Sequence, residues 1–391
     1  MELSRTITGL NAGGDDGWGL FYEARRRKAA GETILELTIG EHDIGTHPAI
    51  LDAMHASAKA GHTGYAMVPG VDALRDAVAA RVAARTGVPT GRENVLITPG
   101  GQAALFSAHK AVLDPGDLGL FLDPYYATYP GTIRGTGARA QAIACRPEDG
   151  FAPRAGDLRA AAAAGARSIL INTPNNPTGV VYGRETIEGI AEVAQEAGLW
   201  VISDEVYDAQ VWRGAHLSPR AMPGMAERTL VIGSMSKSHA MTGSRVGWIV
   251  GPEEAISRLI DLATATTYGV PGYIQDAALF ALREGDWLEA EVGAPFARRR
   301  TRAEEMLAAQ QVVGLVPSGG AMYLMLDIRR TGLDGEAFAA RLLDEEAIAV
   351  MPGESFGRAA AGHVRVAMTL EDSAFAEALA RLLDFAARQS G

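Results

Sequence analysis

The sequence predicts an α/β fold, with a mostly parallel sheet between helices and a second, smaller α/β part. Three observations carry this. Short apolar runs alternate with helix-length segments between about residues 94 and 250. Those runs are apolar throughout rather than at every second position, as strands buried on both faces are. Beyond residue 250 the pattern turns helical and then mixes strands with helices.

The elements follow in chain order. Asp72 to Arg85 reads as a helix. Asn94 to Thr98 reads as a strand, and Gly100-Gly101 opens a helix running to Leu113. Asp117 to Leu122 is the next strand. Ser168 to Asn172 precedes a turn and the helix Arg184 to Glu196, and Trp200 to Asp204 and Thr229 to Ser234 repeat the pattern. Pro252 to Gln310 is largely helical, with a break at Tyr268–Gly272. Met322 to Asp327, Ala347 to Val350 and His363 to Ala367 read as strands, and Asp372 to Gln389 as an amphipathic helix. Ala160 to Ala164 is low in complexity but helix-prone.

Composition excludes several classes. Of 391 residues, 47% are hydrophobic and 21% charged, which a disordered chain would not carry. The net charge is −11 and no strongly basic block exists, which argues against a nucleic-acid partner. Arg25 to Lys28 reads as the exposed face of a helix. Cys145 is the only cysteine, so neither an internal disulfide nor a cysteine-built zinc site can form, and no metal is expected. Met1 to Gly19 is polar, with no apolar core of a secretory signal. No apolar run reaches the roughly 18 residues of a membrane span. The expected location is the cytoplasm.

Four of the five strand-like runs before residue 250 end in residues with chemistry: Gly100-Gly101-Gln102, Asn175-Asn176, Asp204-Glu205 and Ser234-Met235-Ser236-Lys237. Ligands of parallel sheets sit outside the carboxyl ends of the strands. Lys237 is either a loop lysine or an amine that attacks a carbonyl, once desolvation or a nearby cation such as Arg245 lowers its pKa. Asp204 is a helix cap or the partner of a cation. Gly100-Gly101 before a helix makes an anion site. Arg365 lies in an apolar strand and either pairs with a structural carboxylate or clamps a ligand's. Gly40 permits close backbone approach. An amine, an acid, an amide and a phosphate cradle on one sheet edge suit pyridoxal 5′-phosphate, which needs a lysine for its aldehyde and an acid for its ring nitrogen.

With those residues in place, the chain resembles the class I/II aminotransferases of the aspartate aminotransferase superfamily, the fold type I pyridoxal-phosphate enzymes. The likeness runs from Gly40-Glu-His-Asp43 to His363-Val-Arg365. Its core is Asn175-Asn-Pro-Thr-Gly179, Ser203-Asp-Glu-Val-Tyr207 and Ser234-Met-Ser-Lys237 continuing to Arg245. The resemblance implies a large domain with a mostly parallel seven-stranded sheet, residues 46–289. Residues 290–391 would form a small domain, and 1–45 an N-terminal arm joined partly to it. It implies that Lys237 carries the internal aldimine and moves the substrate's α-proton. Asp204 would pair with the ring nitrogen, and Tyr207 and Asn176 with the phenolic oxygen. Gly101, Gln102, Ser234, Ser236 and Arg245 would hold the phosphate, and Tyr126 would stack on the ring. Gly40, Asn176 and Arg365 would bind substrate, with Arg365 on the α-carboxylate. Tyr65 would reach the phosphate of the neighbouring subunit in a homodimer with shared sites.

Three positions depart from many relatives: His42 stands for Pro, Tyr126 for Trp and Ser244 for Trp. Tyr126 can still stack, His42 is either a plain loop histidine or a residue near the substrate entrance that bears on specificity, and Ser244 reads as a packing change. The implied activity moves an amino group from an L-amino acid to a 2-oxo acid. The alternative is a carbon–sulfur β-lyase or another amino-acid aldimine enzyme of the same fold. A regulatory ligand-binding protein would need a fused DNA-binding domain, for which the chain before the core is too short. Three segments, Ser238–Gly243, Tyr268–Ala277 and Gly320–Ile328, are similar to the arginine–pyruvate aminotransferases within the family. A cationic substrate would want acids at the pocket mouth, and Glu41, Asp43 and Asp15 or Asp16 are the candidates.

Overall fold

The computed structural model describes residues 1–12 and 17–390. Among these, seven strands form the large sheet. Their order is Val95–Thr98, Gly247–Val250, Thr229–Ser234, Trp200–Asp204, Ala166–Asn172, Leu118–Asp123 and Arg139–Ala144. Gly247–Val250 runs antiparallel to both neighbours, and the other neighbouring pairs are parallel. Successive residues of a strand face opposite sides. Leu96 accordingly joins a core with helices Gly100–Val112 and Glu253–Ala265, while Val95 and Ile97 join one with helices Asp72–Thr86 and Gly272–Glu284. Farther along the sheet, helices Ala155–Ala162 and Arg184–Glu196 cover Leu120, Leu122 and Ile169.

Two of these strands escape the sequence reading. Arg139–Ala144 is an edge strand with mostly exposed side chains, so it carries no apolar run. Gly247–Val250 is short and starts on glycine. Its direction matters for the site. Antiparallel neighbours need no crossover helix, so residues 235–246 turn directly from one strand into the next, with Lys237 inside the turn.

The smaller part holds an antiparallel sheet in the order Met351–Pro352, His363–Ala367, Tyr323–Asp327 and Gly314–Leu315. The strand expected at Ala347 to Val350 is divided: Ile348–Ala349 pairs in parallel with Leu35–Glu36, and Met351–Pro352 joins the other sheet. Helices Gly335–Glu346 and Asp372–Gln389 pack on this sheet through Phe338, Leu342, Leu379 and Phe385. Helix Asp286–Ala308 lies alongside Asp372–Gln389. The backbone of Ala367 donates to the Leu37 carbonyl at 2.9 Å. Residues 37–39 are thereby held beside His363–Ala367, and Gly40 to Asp43 are delivered to the carboxyl edge of the large sheet.

Candidate active site

A cavity of about 430 Å³ opens at that carboxyl edge. Twelve of the thirteen residues singled out from sequence line it: Gly40, Gly101, Gln102, Tyr126, Asn176, Asp204, Tyr207, Ser234, Ser236, Lys237, Arg245 and Arg365. The thirteenth, Tyr65, does not. It stands 92% exposed in the loop before helix Asp72–Thr86, its ring 5.2 Å from that of Tyr268.

Lys237 sits in the four-residue helix Met235–Ser238, whose first turn Ser234 caps by accepting from the Ser236 backbone. Its amine donates to the Gly40 carbonyl. Burial lowers the pKa of this amine, Arg365 and Arg245 add to the shift, and Tyr323 and Glu41 oppose it. Both effects favour the neutral, nucleophilic form.

Asp204 ends its strand fully enclosed. Tyr129 donates its hydroxyl to Asp204 Oδ2 at 2.6 Å, and the Val206 backbone N–H donates to Oδ1 at 3.2 Å. Burial pushes the carboxyl up to about 6 despite these donors. No basic side chain of the described residues pairs with it. A carboxylate held in this way is stabilised by any cation brought into the cavity.

One end of the cavity is built largely from backbone. Among the described residues no side chain caps helix Gly100–Val112, and its first-turn residues Gly101 and Gln102 line the cavity, at the positive end of the helix dipole. Gly100 has φ +80°, and a Cβ there would lie 2.4 Å from an Arg245 guanidinium nitrogen, so any other residue would be strained and would displace Arg245. Arg245 itself adopts φ +50°, uncommon outside glycine. It donates to the Thr242 carbonyl at 2.9 Å and forms no ion pair with an acid of the described residues. Helix N–H groups, the Ser234 and Ser236 hydroxyls and this guanidinium together suit a phosphate.

Arg365 lies buried between the rings of Tyr323 and Phe356, its guanidinium carbon 4.4 and 4.3 Å from their centroids. One nitrogen donates to Asn176 Oδ1 at 2.8 Å and another to the Thr38 carbonyl, while Nε is buried without a partner among the described residues. No acid of the described residues pairs with Arg365, so the structural-carboxylate alternative is not realised there. Because arginine only donates, the Asn176 atom facing it is the oxygen, which leaves the Asn176 NH2 group as a donor. The Tyr207 and Tyr323 hydroxyls lie 3.0 Å apart. Tyr126 meets Trp18 and Tyr129 edge to face, and burial pushes its hydroxyl up to about 12.

The structure adds residues that the motifs contained without marking. Tyr129 follows Tyr126 by three positions and holds Asp204. Tyr323 lies so close to Gly40 that a Cβ at residue 40 would fall 1.8 Å from its hydroxyl. Asn172 donates to the Asp204 carbonyl at 2.9 Å and accepts from the Asn176 backbone at 2.7 Å. Of the acids expected at the mouth, Glu41 lines the cavity and accepts from Thr242 at 3.1 Å. Asp43 does not serve there: Arg299 engages it with two nitrogens at 2.9 and 2.6 Å. Asp15 and Asp16 lie outside the described residues.

Comparison with known proteins follows the same lines. The family model described as aminotransferase class I and II matches residues 32–382. The chain is 40% identical to the arginine–pyruvate transaminase of Pseudomonas aeruginosa, over the full length of both. It is 34% identical to the aspartate/prephenate aminotransferase of Thermus thermophilus, over 92% of each. Among solved structures it is similar to the Thermus thermophilus aspartate aminotransferase with maleate, with TM-score 0.92 and 32% identity over 98% of this chain and 100% of that one. The Thermotoga maritima aspartate aminotransferase matches with TM-score 0.91 and 31% identity, over 98% and 99%.

Proposed function

The chain belongs to the class I and II aminotransferases and transfers an amino group from an amino acid to a 2-oxo acid; from that premise we propose that it works with pyridoxal 5′-phosphate and that Lys237 is its reacting amine. The observation that carries the reading is charge left unmatched around one cavity. An amine whose pKa burial lowers and, among the described residues, a buried carboxylate without a cation and two guanidiniums without an acid partner face the same space.

The cofactor would supply a carbonyl that captures amines and a ring that takes up the electron pair left when a C–H proton departs. Gly101, Gln102, Ser234, Ser236 and Arg245 would hold its phosphate. Asp204, which Tyr129 fixes in place, would keep a proton on the ring nitrogen. Tyr207 and the NH2 of Asn176 would donate to its phenolic oxygen, and Tyr126 would lie against its ring. Arg365, already aligned by Tyr323, Phe356 and Asn176, binds the substrate carboxylate, and Gly40 leaves room beside it. Lys237 Nζ then takes the α-proton of the aligned substrate. Holding the partners in place and stabilising developing charge supply most of the acceleration.

The amino donor on this reading is arginine and the acceptor pyruvate. Similarity to the Pseudomonas aeruginosa transaminase over both full lengths supports this. So does the lining: among the described residues, no cation beyond Lys237, Arg245 and Arg365 faces the cavity to meet a distal carboxylate, while Glu41 and the rings of Trp18, Phe21 and Tyr22 do face it. Guanidinium groups favour such partners. The active species is a cytoplasmic homodimer in which Tyr65 completes the partner's phosphate site. Exposed Tyr65, Met67 and Tyr268 support that assembly. No helix of the described residues is long and apolar enough to cross a membrane.

The test is the purified protein loaded with pyridoxal 5′-phosphate and given each of twenty amino acids, read as loss of the cofactor's visible absorbance, then pyruvate or 2-oxoglutarate. Arginine with pyruvate should give the highest kcat/KM. A preference for aspartate would overturn the donor assignment, and no spectral change with any amino acid would overturn the whole reading.

A further inference from the structure

The four-residue helix carrying Lys237 leaves its last carbonyls without helical partners. The Lys237 carbonyl is met by two side chains from distant parts of the chain. Nε2 of His42 lies 2.9 Å from it, and Nε2 of Gln210 donates to it at 3.1 Å. A carbonyl only accepts, so His42 Nε2 carries the hydrogen, and in the neutral ring Nδ1 carries none. Nδ1 is buried with no partner among the described residues, and the ring packs edge to face on Phe296 at 5.4 Å. Burial, with Lys237 adding to it, lowers the His42 pKa to about 4, so this donor stays in the same neutral form through the neutral range.

His42 is also part of a seam. Gly40 accepts from the Lys237 amine, Glu41 from Thr242, and Thr46 donates to the Ala240 carbonyl at 2.7 Å. Next to His42, Asp43 is locked to Arg299, which donates also to Asp372 and to the Met368 carbonyl. Residues 40–46 thus hold the lysine turn from one side while anchored to the smaller part on the other. The same short segment grips Lys237 twice, at its amine and at its backbone.

We propose that His42 is a positioning residue for Lys237: its Nε2–H, with that of Gln210, fixes the Lys237 carbonyl so that the amine swings on a stationary backbone pivot. The proposal rests on Lys237 being the reacting amine. During turnover that amine must leave one partner and reach another, and a loose backbone would spread its positions. Misplacement by about 1 Å can cost on the order of a hundredfold in rate. A loosened side chain would also reach water, and its pKa would move back toward the ordinary lysine value.

The test compares His42→Leu, which removes the donor, with His42→Gln, whose terminal amide can still donate. Gln210→Met, which leaves the contact with Phe296 intact, is the third variant. Two readouts are taken on the full-length chain. The first is the pH midpoint for capture of added pyridoxal 5′-phosphate, followed by visible absorbance. Tyr323, Glu41, Arg365 and Arg245 also face the amine, so ionic strength is held constant. The second is the kinetic isotope effect on kcat with an α-deuterated amino donor.

His42→Leu should raise the midpoint by about one unit, lower kcat about tenfold or more, and enlarge the isotope effect, with KM little changed. His42→Gln should restore most of each, and Gln210→Met should move all three the same way as Leu. Equal losses in Leu and Gln would overturn the proposal, because packing rather than donation would then matter. An unshifted midpoint and isotope effect in a folded Leu variant would also overturn it. If the Leu variant does not fold, Gln210→Met decides by the same criteria. The two readings fail separately: turnover by Lys237→Ala removes the premise, whereas an indispensable Lys237 with wild-type behaviour in these variants removes only the pivot.

Discussion

Replacing Asp204 by Asn should weaken catalysis while making the cofactor-free protein more stable at neutral pH. Burial raises this carboxyl from 3.8 to about 6. The folded state therefore binds the proton more tightly than the unfolded state. The associated stability is complete below about pH 3.8 and lost as pH rises through about 6. Two units correspond to roughly 3 kcal/mol for keeping the unpaired charge buried. Asparagine carries no charge and escapes that cost. It can keep accepting from Tyr129 but loses the contact with the Val206 N–H, worth about 1 kcal/mol. The net gain is about 2 kcal/mol above pH 7. For a chain of this length the unfolding entropy is roughly 0.8 kcal/mol per kelvin, so Tm should rise by about 2–3 °C.

The assay is a set of thermal scans of the cofactor-free wild type and variant from pH 4.5 to pH 8, with kcat measured on the loaded proteins. The Tm difference should be smallest at the acid end and grow through pH 6. The loaded variant should lose on the order of a hundredfold or more in kcat, since an amide cannot keep the ring nitrogen protonated, and each tenfold is about 1.4 kcal/mol of barrier. Loading should reverse the stability order, because a cation then offsets the wild-type charge. A Tm difference independent of pH, or an Asn variant within twofold of wild-type kcat, would refute the reasoning and leave Asp204 a structural group.

Three other outcomes are expected. Lys237→Ala should fold and bind pyridoxal 5′-phosphate weakly, seen by fluorescence, yet turn over almost nothing, and Lys237→Arg should not rescue it because guanidinium is no nucleophile at neutral pH. Arg365→Lys should raise KM for amino donors by about a hundredfold, roughly 3 kcal/mol, because a point charge cannot make the two-point clamp or fill the slot between Tyr323 and Phe356; steady-state kinetics checks this. Mixed dimers of Tyr65→Phe and Lys237→Ala subunits should exceed both parents in activity, since a shared architecture puts both lesions in one site and none in the other. A mixture at the average of its parents, with subunit exchange proven, would rule that architecture out.

The parts that the sequence reveals and the parts that it hides differ by a physical criterion. Parallel strands buried on both faces must be apolar, so Ser168–Asn172, Trp200–Asp204 and Thr229–Ser234 stand out, and a polar residue at their carboxyl ends is conspicuous. The sheet then gathers those ends without further instruction, which is why Asp204, Asn176 and Lys237 could be read as a group before any distance was known. Arg139–Ala144 is hidden because an edge strand facing solvent needs no apolar run. Asp43 misleads for a different reason. Its position beside Glu41 suggests a common role, but its partner Arg299 is 256 residues away. Tyr129 and Tyr323 stand in motifs already noticed, yet only packing shows that one holds Asp204 and the other backs Gly40 and Arg365. His42 is the sharpest case, since its Nε2 meets a carbonyl 195 residues on. Groups that perform a reaction must differ in kind from their surroundings, and that difference is written locally. Groups that aim them need only fit, and a fit between distant segments leaves no local mark. On the pivot proposal, rate therefore depends on contacts such as the 40–46 seam as well as on the motifs.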